Sequence, residues 1–291
     1  MKVLNYGSLN YDYVYEVDHI NQPGETQSCV RRNVFCGGKG LNQSVALARA
    51  GVSVYQGGLT GEDGQMFLEV CRENGIDTSC LGRVEGPSGH AVIQLDRSGE
   101  NCILIYGGAN QSQTREWMDK TLDHFGEGDL LLLQNEVNGL DYLIDQAYAK
   151  GMVIVLNPSP WDDKLKACDL KKVSVFLINE VEGGQITGEQ EPERILDKMQ
   201  QLYPDAQTVL TLGSKGAIWQ GRGQRVRQKA YKVDVVDTTA AGDTFTGYFI
   251  AGMTEHMPVE ENMRRAARAS AIAVSRMGAA PSIPALSEVE R

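Results

Sequence analysis

Two hydrophobic rhythms divide the chain. From Asp129 onward, apolar runs at 130–133, 153–156, 175–178 and 209–212 are separated by stretches with helical spacing. A four-residue apolar run leaves no polar face for water, so each predicts a strand covered on both sides. Their alternation with helices predicts right-handed βαβ units around a parallel sheet. Residues 2–7 predict a first strand. Residues 42–50 and 65–74 predict helices closed by Gly51 and Gly75, with a short strand at 52–57 between them.

The other rhythm is looser. Residues 11–35 alternate polar and apolar positions around Pro23-Gly24, which predicts short antiparallel strands. Strands at 90–95 and 101–106 flank Asp96-Arg97-Ser98-Gly99, a hairpin turn signal. The second strand carries Ile103, Leu104, Ile105 and Tyr106 in succession, so both its faces should be covered. Substrate on one face and a second subunit on the other would do this, and so would packing inside the domain. Residues 224–236 predict a further hairpin. Helices follow to about His256 and, after Pro258, from 259 to 277, ending at Gly278. With no repeat and no linker, 1–291 reads as one α/β domain whose segments 11–35 and 88–106 form a small β appendage.

Charge and cysteines narrow the class of partner. The net charge of −10 argues against a nucleic-acid surface. The densest basic stretch, Arg222, Arg225 and Arg227, reads as a solvated hairpin. Six cysteines at 29, 36, 71, 80, 102 and 168 form no CxxC pair. With no signal peptide ahead of the first strand, they suggest reduced thiols and a cytoplasmic protein. No apolar run approaches the roughly 20 residues of a membrane span.

The chemistry concentrates in DTTAAGDTFTGYFIAG at 237–252. Small residues lead into Gly242 and Asp243, and the apolar run after them has helical spacing. A helix entered through bare residues presents unpaired N–H groups and the positive end of its dipole, which together form an anion site. A carboxylate beside a bound anion hinders simple binding. It fits a reaction in which a group next to the phosphate loses a proton, so Asp243 reads as the base in phosphoryl transfer to a hydroxyl, with an anion hole at Ala241, Gly242 and Asp243.

Other polar residues follow the predicted strands: Asn10 and Asp12, Glu136, Asn157, Asn179 and Glu182, and the 213–216 loop GSKG. Ligands in open parallel sheets bind at those carboxyl ends. GGKGLN at 37–42 is a second glycine-rich helix entry, neither GxxxxGK[ST] nor GxGxxG. It reads either as a tight packed turn or as bare backbone approached by a polyhydroxy ligand, with Lys39 and Asn42 as donors. Asn179 and Glu182 offer oxygen ligands to a largely hydrated Mg²⁺, or else an acidic first helical turn. The four histidines show no zinc spacing and there is no GxSxG.

CGGKGLNQSVALARAG at 36–51 and DTTAAGDTFTGYFIAG at 237–252 resemble the two signatures of the PfkB (ribokinase-like) carbohydrate kinase family. GSLNYD, PGET, SGEN, LNPSP, INEVE, TLGSKG and GAAPSIP extend the resemblance over essentially the whole chain, closest to the ribokinase members. It implies a three-layer α/β/α fold with a mostly parallel sheet and a β-lid, and lids that clasp in a homodimer. It implies an ATP-dependent kinase acting on a primary hydroxyl of a small sugar, ribose first, with Mg²⁺ and with K⁺ as activator. Another sugar (fructose or a keto-deoxy sugar acid) or a nucleoside stands as the alternative, and a non-catalytic sensor behind those. Asn10, Asp12, Gly38, Lys39, Gly40, Asn42, Glu136 and Asp243 match sugar positions. Asn179, Thr211, Gly213, Ser214, Gly216 and Gly242 match nucleotide positions, and Glu182 acts on magnesium through water. Asp237, Thr239, Ala273, Arg276, Gly278 and Ser282 match a monovalent-cation site. The chain departs from the family's usual residues at Ala240, Met66, Thr246 and Tyr11, the last placed close to the expected sugar.

Overall fold

A computed structural model describes residues 1–291. The strands are β1 Val3–Tyr6, β2 Asn10–Glu16, β3 Arg31–Gly37, β4 Val54–Thr60, β5 Leu81–Arg83, β6 Gly89–Leu95, β7 Asn101–Tyr106, β8 Leu130–Gln134, β9 Val153–Asn157, β10 Val175–Asn179, β11 Gln207–Thr211, β12 Ala217–Gly221 and β13 Gln224–Gln228. The α-helices are α1 Lys39–Arg49, α2 Gln65–Glu73, α3 Arg115–Leu122, α4 Leu140–Ala149, α5 Asp163–Lys166, α6 Glu180–Thr187, α7 Pro192–Leu202, α8 Ala241–Thr254, α9 Val259–Val274 and α10 Leu286–Val289.

Nine strands form the main sheet in the order β13-β12-β11-β10-β9-β8-β1-β4-β5. All its pairings are parallel except those of β12 and β13. The apolar runs are continuous because both faces are buried. Val3, Leu130, Leu132, Val155 and Leu177 join the core beneath α1, α8 and α9. Leu4, Leu131, Leu133, Ile154 and Phe176 join the core beneath α3, α4 and α7. The hairpin expected at 224–236 lies earlier, at 217–228. Its first strand begins directly after Gly216, where helical and strand patterns are indistinguishable over so few residues. Arg225 and Arg227 on it pair with Glu193 and Asp197 of α7 rather than facing solvent alone.

The second sheet has the order β3-β2-β6-β7. β2 runs antiparallel to β3 and parallel to β6, and β6–β7 is the expected hairpin. Side chains alternate across it. In register with Asp12 lie Phe35, Ala91 and Ile105; in register with Tyr11 lie Cys36, His90 and Tyr106. β7 is the outermost strand, and Ile103 to Tyr106 are exposed on both faces, Leu104 by 71%. Packing inside the domain is therefore not what covers them.

One contact places the two glycine-rich helix entries together. A Cβ on Gly247 would stand 2.4 Å from the Cβ of Ala46, so α8 lies against α1 backbone to side chain. Asp243 is one turn before Gly247, and Asn42 and Gln43 are one turn before Ala46 and Leu47. The helices meet with these side chains facing one another.

Candidate active site

α8 begins at a residue few helices choose for a cap. Ala240 has φ 58° and ψ 10°, the left-handed region, and its carbonyl accepts from both the N–H and the hydroxyl of Thr244. The Ala241 N–H is used on the Thr238 carbonyl at 3.3 Å. The N–H groups of Gly242 and Asp243 have no acceptor in the protein. Of the three residues expected to form an anion hole, two thus keep free N–H groups, while Ala241 closes the turn. A Cβ on Gly242 would meet nothing within 4 Å, so packing does not demand glycine there. It leaves the space before the free N–H groups open.

The Asp243 carboxylate is 7% exposed and held at both oxygens. Asn42 Nδ2 donates to Oδ2 at 3.0 Å and Gln43 Nε2 donates to Oδ1 at 2.9 Å. Asn42, expected to donate to a sugar, gives one amide N–H to Asp243 and keeps the other. A cleft of about 240 Å³ opens in front, lined by Lys39, Asn179, Glu182, Thr211, Gly242 and Thr246 among others. Burial lowers the proton affinity of the Lys39 ammonium. The carboxylates of Asp243, Glu136 and Glu182 more than offset this, so its pKa stands above the ordinary lysine value. A larger hollow of about 510 Å³, among Trp219, Met253 and His256, gathers none of the predicted residues.

On the second-sheet side of Lys39 stand the residues matched to sugar. The Lys39 N–H and the Ser8 hydroxyl donate to the same Glu136 oxygen, the former at 3.0 Å. Burial raises the Glu136 pKa against the pull of Lys39. Asp12 is pushed up to about 6 by burial and then by Glu136. Asn10 Oδ1 accepts from Asn110 Nδ2, whose own carbonyl oxygen accepts from the Leu9 N–H. Gly38 has φ +91°, which favours glycine, and caps α1. Gly40 is glycine for packing: its Cβ would sit 2.4 Å from the Gly7 carbonyl carbon and the Ser8 nitrogen. The packed-turn reading describes both glycines, since a Cβ on Gly38 would also come within 3.0 Å of Asn10 N and Ser8 Oγ.

On the nucleotide side the structure forms the capping box allowed by the plainer reading of NxxE. Asn179 Oδ1 accepts from the Glu182 N–H, and the Glu182 carboxylate accepts from the Asn179 N–H and Nδ2. Glu182 is nonetheless at the cleft, 5% exposed and without a paired cation. Thr211 lines the cleft, and Gly213, Ser214 and Gly216 form the turn that follows it, with positive φ at both glycines. No cluster of three metal-ligating side chains exists. The donors fit a magnesium ion carried on nucleotide phosphates and reached by Glu182 through water, not one caged by protein.

The segments matched to a cation site meet where the Gly278 N–H reaches Asp237. Asp237 accepts from Thr239 through one oxygen and from the Gly278 N–H through the other, at 2.9 Å. The oxygen-only donor set and an Asp237 carboxylate lacking a cationic partner fit a hard monovalent ion. The Arg276 guanidinium turns away to Glu288, and its N–H bonds the Ala273 carbonyl. The Ser282 hydroxyl donates to Ala279 O.

Two departures change meaning. Tyr11 does not approach the sugar side. It lies on the face opposite Asn10 and Asp12, stacks on Phe67 at 4.2 Å between centroids, and donates to Asp63 O at 2.5 Å. Strand alternation, not sequence distance, decides this. Met66 is exposed on α2, whereas Thr246 lines the cleft. Ser8, Gln43 and Asn110 were not singled out. Their signal, polar side chains in segments otherwise destined for the core, shows only once the burial of those segments is known.

A pfkB family carbohydrate kinase model matches residues 1–286. A ribokinase of Haemophilus influenzae is 34% identical over 294 residues, covering 97% of this chain and 95% of the relative. The ribokinase structure of Thermotoga maritima superposes with a TM-score of 0.88 at 32% identity, covering 99% of this chain and 98% of that one. The Arabidopsis thaliana ribokinase structure, complexed with ribose and ATP, gives 0.88 at 29% identity, with 99% and 97% covered. With these likenesses running end to end across both sheets and both glycine-rich helix entries, the chain belongs to the pfkB family of carbohydrate kinases.

Proposed function

We propose that this protein transfers the γ-phosphoryl group of ATP to the primary hydroxyl of ribose, giving ribose 5-phosphate and ADP, with Asp243 as the base. The observation that carries the reading is the pairing of an anchored Asp243 carboxylate with two unpaired N–H groups at the start of α8. The likeness to a ribokinase structure holding ribose and ATP supports the choice of sugar. ATP occupies the cleft by Asn179 and the 211–216 loop; ribose occupies the space bounded by Asn10, Asp12, Gly38, Lys39 and Glu136. We read 1–291 as one kinase unit with lid segments 11–35 and 88–106, working in the cytoplasm as a lid-to-lid homodimer. Six free cysteines and the uncovered β7 support the last two points.

In the reaction the sugar oxygen forms a bond to γ-phosphorus as the bond to the β–γ bridging oxygen breaks, and the hydroxyl proton passes to Asp243. The transition state is loose, so positioning and charge compensation dominate. The Gly242 and Asp243 N–H groups hold the migrating phosphoryl oxygens, each donor being worth about 3 kcal/mol. Lys39 lies between the sugar and nucleotide sides and supplies a positive charge to both. Magnesium, when bound with the nucleotide, neutralises phosphate charge, and a monovalent cation at Asp237 adds positive charge beneath the anion hole.

A nucleoside acceptor loses its support here, because Tyr11 lies on the far face of β2 and stacks on Phe67, and Tyr13 faces His90 and Arg32. The test is a coupled ADP-release assay over pentoses, hexoses, keto-deoxy acids and nucleosides, with and without potassium. Turnover is expected to be strongest on ribose. Strong turnover on a hexose with none on ribose would overturn the sugar while leaving the kinase.

A further inference from the structure

A chain of buried amides runs behind Asp243, and its direction is set at both ends. At one end Asn5 Nδ2 donates to the Gly40 carbonyl at 2.7 Å, and a carbonyl can only accept. Asn5 Oδ1 must therefore accept, from Gln134 Nε2 at 2.9 Å. The same Gln134 nitrogen donates to Gln43 Oε1 at 2.6 Å, which turns the Gln43 amide nitrogen outward. At the other end Asn157 Nδ2 donates to the Leu177 carbonyl at 2.9 Å, so Asn157 Oδ1 accepts from Gln43 Nε2 at 3.0 Å. Two backbone carbonyls thus dictate that Gln43 presents N–H groups, and the second one falls on Asp243 Oδ1. Asn5, Gln43 and Gln134 are fully buried, and Gln134 Oε1, fixed by this direction against Gly7, is left without a partner.

We infer that Gln43 is a positioning residue for phosphoryl transfer: the directed amide chain Asn5–Gln134–Gln43 fixes the Asp243 carboxylate by donating to Oδ1, so that its remaining lone pair faces the sugar hydroxyl. This rests on the reading of Asp243 as the base. Asn42 holds Oδ2 from the same helix, and the two donors together leave the carboxylate one orientation. Of the charged groups, Lys39 from α1 and Glu136 from the loop after β8 act on Asp243, and Lys39 also feels Glu182 from α6. Gln43 and Asn42 are the neutral groups that touch Asp243, and Gln43 alone is tied to the amide chain behind it.

The test compares Gln43→Glu and Gln43→Met with wild type and Asp243→Asn, using kcat against pH at saturating ribose and ATP, both KM values and thermal melting. Gln43→Glu still accepts from Gln134 but turns a carboxylate oxygen on Asp243. Its acid limb is expected to move up by at least about one pH unit, with KM values unchanged. Gln43→Met removes the donor without charge and is expected to lower kcat by at least about fivefold, again with KM values unchanged. It carries the test if Gln43→Glu fails to melt cooperatively. A purely structural residue would lower melting temperature without these changes. A Gln43→Glu profile coincident with wild type, or a Gln43→Met loss smaller than fivefold or confined to KM, would overturn the inference. Near wild-type turnover in Asp243→Asn would instead remove the base assignment beneath it.

Discussion

Gly40 and Gly242 sit in similar glycine-rich entries and are glycine for opposite reasons. A methyl on Gly40 meets the Gly7–Ser8 backbone at 2.4 Å, and backbone cannot swing aside as a side chain can. Gly40→Ala should cost about 1–3 kcal/mol of stability, read from denaturant unfolding. A methyl on Gly242 meets nothing in the protein, and its φ is helical, so Gly242→Ala should fold at least as stably as wild type. It should nonetheless lose turnover on the order of a hundredfold, because the methyl fills the approach to the two free N–H groups. An active Gly242→Ala enzyme would mean the phosphoryl group lies elsewhere. Asp12 gives a pH signature at the same scale. Its pKa is raised from 3.8 to about 6, so the native state keeps a proton that the unfolded chain releases between those values. The stability from its neutral form is complete below pH 3.8 and lost as pH rises through 6. Sugar hydroxyls need the ionised form as acceptor, so KM for ribose should rise as pH falls below about 6. Asp12→Asn should raise KM and flatten that dependence between pH 5 and 7; an unchanged slope would clear Asp12 of the role.

At the scale of elements, β2 shows what a strand decides that its sequence neighbours do not. Asn10 and Asp12 share one face of β2, while Tyr11 between them anchors the second sheet to the body through Phe67 and Asp63. Asp63 in turn accepts from both the N–H and hydroxyl of Ser88, just before β6, so one aspartate ties both halves of the second sheet down. Tyr11→Phe should lower stability by about 1 kcal/mol through the lost hydroxyl bond and leave the preference among pentoses untouched. A shift in that preference would return Tyr11 to the sugar. The same distinction separates what was legible in advance from what was not. Buried parallel strands announce themselves by unbroken apolar runs, and a helix entry by Gly242 and Asp243 before an apolar face. The partners of Asp243 did not, because Asn42 and Gln43 reach it across about two hundred residues of sequence through the contact of Gly247 with Ala46. Nor did β12 and β13, whose short runs carry too few residues to show a period.

The whole chain leaves one structural obligation unmet by itself. β7 ends the second sheet with unpaired backbone along one side, and Ile103, Leu104, Ile105 and Tyr106 expose apolar surface on both faces. Such an edge pairs with something or aggregates. No helix of the chain covers it, and none is long and apolar enough to cross a membrane. Ile103 and Ile105 share a face with Asp12; Leu104 and Tyr106 share the other with Tyr11 and His90. A second copy docking on the Leu104 face would cover the apolar surface and stiffen the sheet that carries Asp12. Sedimentation at micromolar concentration should therefore give twice the chain mass. Leu104→Arg, remote from Asp243 and the nucleotide cleft, should give single chains with a several-fold higher KM for ribose and an unchanged KM for ATP. A wild-type chain that sediments singly while fully active would show that the lid closes on sugar without a partner, and would leave the apolar edge to another role.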